Sequence, residues 1–294
     1  MYNTYMSERP ILITGSLGNI GRAVTGQLLV AGRPVRAVDL DPAAVRDTFP
    51  GAEAARFDFT DPQTWSVFDG VEVVFLMRPP ALSNIARDMV PALEAAKRAG
   101  VKHMVLLSLQ GAENNKVVPH AKIEAWLRDS GLTWTFVRPS FFMENLSTTH
   151  RSDILDRDCL MVPAGKGKTA FVAAHDVASV AAVALENPAS HINKAWTPTG
   201  PQALTYYEVA SILTDLLGRP IRYGKPGAIR YLLHATKQLD LPLAMALVTT
   251  AIYTVARLGK AGGLTDDVRT VTGTAPIAFA DWAAENRSTW MPDD

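Results

Sequence analysis

The first half of the chain alternates short apolar runs with longer segments of helical period. Residues 11–14, 35–39, 54–58, 72–77, 103–108 and 134–138 are apolar runs bounded by turn residues, which predicts strands. Between the first two runs, Ile20, Val24, Leu28 and Ala31 recur every three or four residues and Gly32 stops the pattern, which predicts an amphipathic helix. Further helices are expected over 83–99, ending at Gly100, and over 120–129, ending before Gly131. Strands apolar on both faces, separated by helices, form a parallel sheet covered on both sides. The expected fold class is therefore α/β, with a doubly wound parallel sheet whose ligands sit at the carboxyl ends of the strands.

After Pro139 the alternation weakens. Residues 170–173 and 195–198 are expected strands, with a helix over 176–186 between them. A helix over 205–217 has Thr205 as its cap, Glu208 completing a capping box and Gly218 as its stop. Residues 224–264 are mostly helical in character. Within them, 241–256 is the longest apolar stretch, 16 residues containing Pro242 and followed by Arg257. That is short for a membrane span, and the expectation is a buried or pocket-covering helix. The organisation expected is a first domain over 1–150 and a smaller, mostly helical C-terminal region over 151–294. Strands 170–173 and 195–198 are candidates to return to the main sheet.

Composition narrows the function classes. The 294 residues carry 29 Lys+Arg and 29 Asp+Glu, so no basic surface for nucleic acid is indicated. Cys159 stands alone and can form neither an internal disulfide nor a multi-cysteine metal site. Residues 1–10 are polar and lack the apolar core of a signal peptide. A cytoplasmic protein with no membrane partner is expected. Six scattered histidines (103, 120, 150, 175, 191, 234) show no metal-binding spacing, so no metal is expected.

The strand over 11–14 runs into Gly15-Ser16-Leu17-Gly18-Asn19-Ile20-Gly21 and then into the first helix. Glycines at this spacing let the backbone turn tightly and approach a pyrophosphate, while the helix start offers free N–H groups and a positive dipole end. The pattern in its strand–turn–helix context implies a dinucleotide, NAD or NADP. Asp39 ends the next strand, 18 residues after Gly21. A carboxylate there accepts from the ribose hydroxyls of NAD and repels the 2′-phosphate of NADP. It could instead only cap the turn at Asp41-Pro42, and Arg22 keeps NADP open. Asp58 suits the adenine amino group, or else it or Asp61 caps the turn over 62–68. Met77, Arg78, Pro79 and Pro80 form a stiff loop placed for the ribose and nicotinamide side.

The segments TGSLGNIGRAV, FDFTD, VFLMRPP, AAKRAGVKHMVLLSLQGA, HAKIEAWLRDSGLTWTFVRPSFFMENL, AGKGKTAFVAAHDVASVAAVAL and LTYYEVASILTDLLGRPIRY resemble the NmrA-like family of atypical short-chain dehydrogenases/reductases. The resemblance covers about residues 10–223, with GTAPIAFADWAAENRSTW near the C-terminus. It implies a Rossmann domain and a smaller C-terminal substrate domain. The family includes NAD(P)H-dependent quinone and dye reductases, isoflavone-reductase relatives and redox sensors that bind NAD(P) without chemistry. Carried over by position, Gly15, Gly18 and Gly21 correspond to the phosphate loop, within which Ser16, Asn19 and Ile20 are further candidate cofactor contacts. Asp58 and Phe59 correspond to the adenine side, and Met77, Arg78 and Pro79 to the loop over the ribose. Pro139, Ser140, Phe141 and Phe142 correspond to the loop that lines the nicotinamide and substrate, and Met143 beside them is a further candidate for the substrate pocket. Asp39-Leu40 stands where NADP-preferring members carry arginine, which favours NAD.

Reductases of the wider superfamily use Y-x-x-x-K, with tyrosine as proton donor, lysine lowering its pKa and a serine orienting the substrate. Ser108 and Lys122 occupy the serine and lysine places, but Val118 stands where the tyrosine belongs. Either His120 supplies the proton, since imidazole exchanges protons near neutrality, or no acid is needed because reduction of a conjugated acceptor yields a stabilised anion that water protonates. The expected function is an NAD(P)H-dependent reductase of a small conjugated acceptor such as a quinone. The alternative is a non-catalytic NAD(P)-binding redox sensor or scaffold. The 241–256 segment could roof a flat substrate together with Phe141, Phe142, Met143, Trp134 and Tyr231, or face a partner. A homodimer is left open.

Overall fold

The computed structural model describes residues 9–292. The expected strands of the first half form as β1 (Ile11–Thr14), β2 (Val35–Asp39), β3 (Glu53–Arg56), β4 (Val73–Met77), β5 (His103–Leu107) and β6 (Thr133–Val137). They are followed by β7 (Phe141–Phe142), β8 (Cys159–Leu160), β9 (Lys168–Val172), β10 (Lys194–Trp196), β11 (Ala203–Thr205) and β12 (Arg222–Tyr223). The helices that place the site are α1 (Asn19–Val30), α2 (Pro42–Thr48), α3 (Ile85–Asp88), α4 (Val90–Arg98), α5 (Pro119–Asp129), α6 (Arg151–Arg157), α7 (Ala174–Glu186), α8 (Pro188–His191), α9 (Tyr206–Leu217), α10 (Ala228–Lys237) and α11 (Leu243–Arg257). The single helix expected over 83–99 is two, α3 and α4, broken at Met89 (φ −120°). Pro91 has no N–H to bond the carbonyl of Arg87, and its ring would crowd that carbonyl, so the chain restarts.

The chain divides into two compact units. Among the described residues the first runs to Pro139 and takes up Ala174–Pro198 and Thr270–Thr272, while the second holds Ser140–Ala173, Thr199–Arg269 and the chain from Gly273 onward. The first unit is built on a parallel sheet of order β10-β6-β5-β4-β1-β2-β3. The chain winds outward from β1 through β2 to β3, then restarts at β4 on the other side, so the switch point lies between β1 and β4. On one face α7 packs along α1. Its buried Ala174, Ala178, Ala181 and Ala184 are small enough to let the two helices approach. On the other face α4 and α5 cover Leu12, Val74, Leu76, Met104, Leu106 and Phe136 through Ala92, Leu93, Ile123 and Leu127.

One histidine makes this sheet sensitive to acid. His103 starts β5 at 2% exposure, with Nδ1 2.8 Å from Thr133 Oγ1 and Nε2 3.1 Å from Thr135 Oγ1. Burial, with the nearby His191, pushes its pKa down to about 4. The folded value lies below the ordinary 6.5, so its contribution is complete above about pH 6.5 and is lost as pH falls toward 4. The expected cost is about 2 kcal/mol at pH 5 relative to pH 8. Urea unfolding of the wild type and His103→Asn at both pH values checks this; the variant should lose that part of the pH dependence, and equal dependence in both proteins would refute it.

The second unit contains a three-stranded sheet, β11-β9-β7, and a β12-β8 pair. Its core holds Phe171, Tyr206, Tyr231, Tyr253, Trp282 and Trp290. Of the two strands expected to return to the main sheet, 195–198 does so as β10, whereas 170–173 becomes β9 and pairs with β7 and β11 instead. The capping box of α9 is present: Thr205 Oγ1 accepts from the amide of Glu208 at 3.2 Å, and the Glu208 carboxylate accepts from the amide of Thr205 at 2.7 Å. The 241–256 stretch is not buried all round: α11 packs only Ala246, Tyr253 and Ala256 inward.

Candidate functional site

At the switch point, Thr14 ties the two central strand ends together. Its hydroxyl donates to the carbonyl of Phe75 at 3.0 Å and accepts from the amide of Met77 at 2.9 Å. The chain then turns through Gly15 at φ +63°, a left-handed conformation that only glycine adopts without strain. The amide of Gly18 donates back to the carbonyl of Gly15 at 3.0 Å. Gly21 comes so close that a Cβ there would lie 2.1 Å from the Gly15 carbonyl oxygen. Helix α1 starts at Asn19 with no side-chain cap. The amides of Asn19, Ile20 and Gly21 are therefore first-turn donors without an intrahelical acceptor. A tight backbone cradle and an uncapped helix start fit a pyrophosphate. Ser16 departs from the expectation: its amide and hydroxyl both donate to the carbonyl of Val38, at 3.2 and 3.3 Å, so its side chain faces β2.

Asp39 supports the same loop. One carboxylate oxygen accepts from the amide of Leu17 at 3.1 Å and the other from the amide of Leu40 at 2.8 Å. The turn cap is a different residue, Asp41, which accepts from the amides of Ala43 and Ala44. Leu40 is 61% exposed beside it. Asp58 folds its carboxylate into a turn, accepting from both the amide and the hydroxyl of Thr60, while Asp61 caps the turn over Pro62–Phe68. Phe59, expected on the adenine side, is 4% exposed with its ring edge-on to Phe57 in the core. Met77 lays its terminal methyl against the glycine loop, where a Cβ on Gly15 would meet it at 2.2 Å. Arg78 braces its own loop, donating to the carbonyls of Pro79, Pro80 and Leu82.

Three expected catalytic residues fall in different settings. Ser108 is buried beyond the end of β5 and donates to Glu124 at 2.7 Å. Glu124, on α5 with 1% of its side chain exposed, also takes a two-pronged contact from Arg138 at 2.9 and 2.6 Å and one from Arg128 at 2.9 Å. Burial pushes the Glu124 carboxyl up, but Arg138 and the Ser108 hydroxyl together hold it below the usual range. Ser108 is thus part of an anchored network, while Lys122 stands exposed on α5 with no ion pair among the described residues. His120 opens α5 with its Nδ1 buried and without a hydrogen-bond partner. Burial and the Arg78 charge push its pKa down to about 4, so near neutrality it is an uncharged imidazole rather than an acid. Sequence reasoning missed Glu124 and Arg138. The signal was there: Glu124 shares the buried helical stripe of Ile123 and Leu127, where an unpaired carboxylate is not tolerated.

Of the residues expected at the nicotinamide and substrate, Pro139 belongs to the first unit and Ser140, Phe141, Phe142 and Met143 to the second. Pro139 is buried and its carbonyl accepts from the amide of Gln110 at 3.0 Å. Ser140 has a buried hydroxyl without a partner. Phe141 packs edge-on to Phe171 and tilts against Tyr253, Phe142 is half-buried, and Met143 is 1% exposed within the second unit's core. Met143 and the fully buried Tyr231 are core rather than pocket lining, and Trp134 stacks on Phe136 in the first half of β6. A cleft of about 570 Å³ lies between Ile11, Arg33, Glu72 and Pro188. It is at the amino ends of β1 and β4, the wrong end of a parallel sheet for the dinucleotide.

Known proteins share this family and fold. The NmrA-like family model matches residues 7–259. The NAD(P)H azoreductase of Xenophilus azovorans is 34% identical over 286 residues, covering 93% of this chain and 96% of the relative. The structure of the NADPH-dependent quinone oxidoreductase of Escherichia coli in complex with NADPH superposes with a TM-score of 0.85 at 25% identity, covering 94% of this chain and 99% of that one. The fold is also that of the Citrobacter triphenylmethane reductase complexed with NADP(H), with a TM-score of 0.82 at 22% identity over 94% of this chain and 99% of that one. The chain belongs to the NmrA-like family.

Proposed function

We propose that this protein is an NAD(P)H-dependent reductase of small conjugated acceptors such as quinones. The observation that carries the proposal is the glycine cradle opposite the uncapped start of α1 at the switch point. The azoreductase and quinone oxidoreductase relatives support the same reading. The amides of Asn19, Ile20 and Gly21 would take the pyrophosphate, Asp39 the adenosine ribose, and Pro139 would lie on the nicotinamide side. Ser140, Phe141 and Phe142 keep their proposed places on the family likeness. The bound coenzyme supplies a hydride, and the cofactor carries the difficult electron chemistry. The chain's part is to align the donor with the acceptor. With Val118 in the tyrosine place, Ser108 committed to Glu124 and His120 uncharged, the residues suit acceptors whose reduced form water protonates.

The same commitment of Ser108 favours a second reading, a redox sensor that binds the coenzyme without turnover. Mixing the protein with NADH or NADPH and a panel of quinones, azo dyes and carbonyls, and following absorbance at the nicotinamide band, separates the two. Oxidation by a quinone or azo dye supports the reductase; tight binding without turnover on any acceptor supports the sensor.

Coenzyme preference gives a sharper expectation. Asp39→Ala removes a carboxylate that supports Leu17 and would face the ribose, so both coenzymes should bind more weakly, NAD about tenfold more so than NADP. Dissociation constants measured for both coenzymes test it, and an equal loss would leave Asp39 as loop support alone.

A further inference from the structure

Helix α11 turns a wholly apolar half to solvent. Its Leu247, Val248, Ile252 and Val255, with Ile229 and Leu233 of the adjoining α10, are 45% to 78% exposed. No charged residue lies between Leu243 and Ala256. The threonines of the helix add no polar demand, since Thr250 and Thr254 turn their hydroxyls back to the carbonyls of Ala246 and Thr250 at 2.6 and 2.7 Å. A monomer rarely leaves so many large apolar side chains of two contacting helices exposed without something to cover them.

Charge selects the cover. In a chain of zero net charge, residues 224–264 hold Lys225, Arg230, Lys237, Arg257 and Lys260 against Asp240 alone. All five cations are exposed, and none enters an ion pair among the described residues. Two copies meeting symmetrically through this face would bring the same cations together with little to answer them. On α10, Arg230 and Lys237 stand on the same exposed turns as Ile229 and Leu233, where lipid phosphates would answer them. We propose that the α10–α11 face is a peripheral docking surface for an anionic lipid bilayer. This goes against the sequence expectation of no membrane partner. The helix lies on the bilayer rather than across it: its 15 residues span about 22 Å against a hydrocarbon core of about 30 Å. Its inner side is packed on protein, and no helix among the described residues is long and apolar enough to cross a membrane.

The proposal is independent of the coenzyme and of turnover. It is tested by sedimenting the full chain with vesicles of phosphatidylcholine, alone or mixed with phosphatidylglycerol, alongside light scattering of the protein alone. Binding at least tenfold stronger to the anionic vesicles, weakened by salt, is expected. Val248→Glu/Ile252→Glu should abolish it, and Arg230→Gln/Lys237→Gln should weaken it about tenfold or more. Both pairs are solvent-facing, and unchanged melting curves would show the variants folded. Absence of binding to either vesicle, equal binding to both, or a dimer that Val248→Glu/Ile252→Glu splits while vesicles stay unbound would overturn it.

Discussion

Gly21→Ala is expected to lower coenzyme affinity by at least about a hundredfold, equivalent to roughly 3 kcal/mol. The added methyl would sit 2.1 Å from the carbonyl oxygen of Gly15, 2.8 Å from its carbon and 3.1 Å from the Ser16 Cα. All three are backbone atoms, so no side chain can swing aside, and the turn or the helix start must move. The displaced groups are the ones that would hold the pyrophosphate. Gly26 is the matched control. It lies on the same helix, and a Cβ there meets nothing within 4 Å. Gly26→Ala should leave coenzyme binding unchanged and stabilise α1 by up to about 1 kcal/mol. Fluorescence titration of NADH and NADPH against both variants gives the comparison. Wild-type affinity in Gly21→Ala would remove the cradle from the account.

Glu124→Ala is expected to be the most destabilising single change in the first unit, costing about 3–5 kcal/mol. The loss is not mainly that of an attractive pair. It comes from Arg138, 9% exposed, which among the described residues keeps the more distant Glu113, at 3.3 Å, and the ring of Phe136 when its two-pronged partner is removed. Arg128, which is exposed, contributes little. Because the folded pKa of Glu124 is lowered, its stabilisation is present above the ordinary carboxylate range and is lost as pH falls through the folded value. Thermal unfolding should show a drop of about 10 °C or more. A melting point within 2–3 °C of wild type, on the order of 1 kcal/mol, would show the network to be dispensable.

How far the sequence foretold the structure depends on the length scale of the signal. The strands of the parallel sheet carry apolar runs long enough to be seen, and β1, β2 and α1 were legible almost to the residue. The capping box of α9 was legible because Thr205, Glu208 and Gly218 form a local code. β7, β8 and β12 were not, since two residues carry no period. The split between α3 and α4 was readable from Pro91 but hidden by the apolar pattern that continues across it. Site residues follow the same rule. The glycine turn is local, whereas Glu124, the partner of Ser108, lies 16 positions away, and Arg138, the partner of Glu124, lies 14 positions further on; both become visible only when α5 and β6 fold against β5. Phe59 is placed by resemblance and Met143 by its place in an aromatic run, and neither signal distinguishes a pocket wall from a core.

The central claim is that the amides at the start of α1, set by three glycines, hold the pyrophosphate of a nicotinamide coenzyme. Isothermal titration of the unmodified, folded chain with NADH and with NADPH tests it most directly. Saturable binding of at least one coenzyme, with one site per chain, is the expected result; heats no greater than dilution for both would contradict the account.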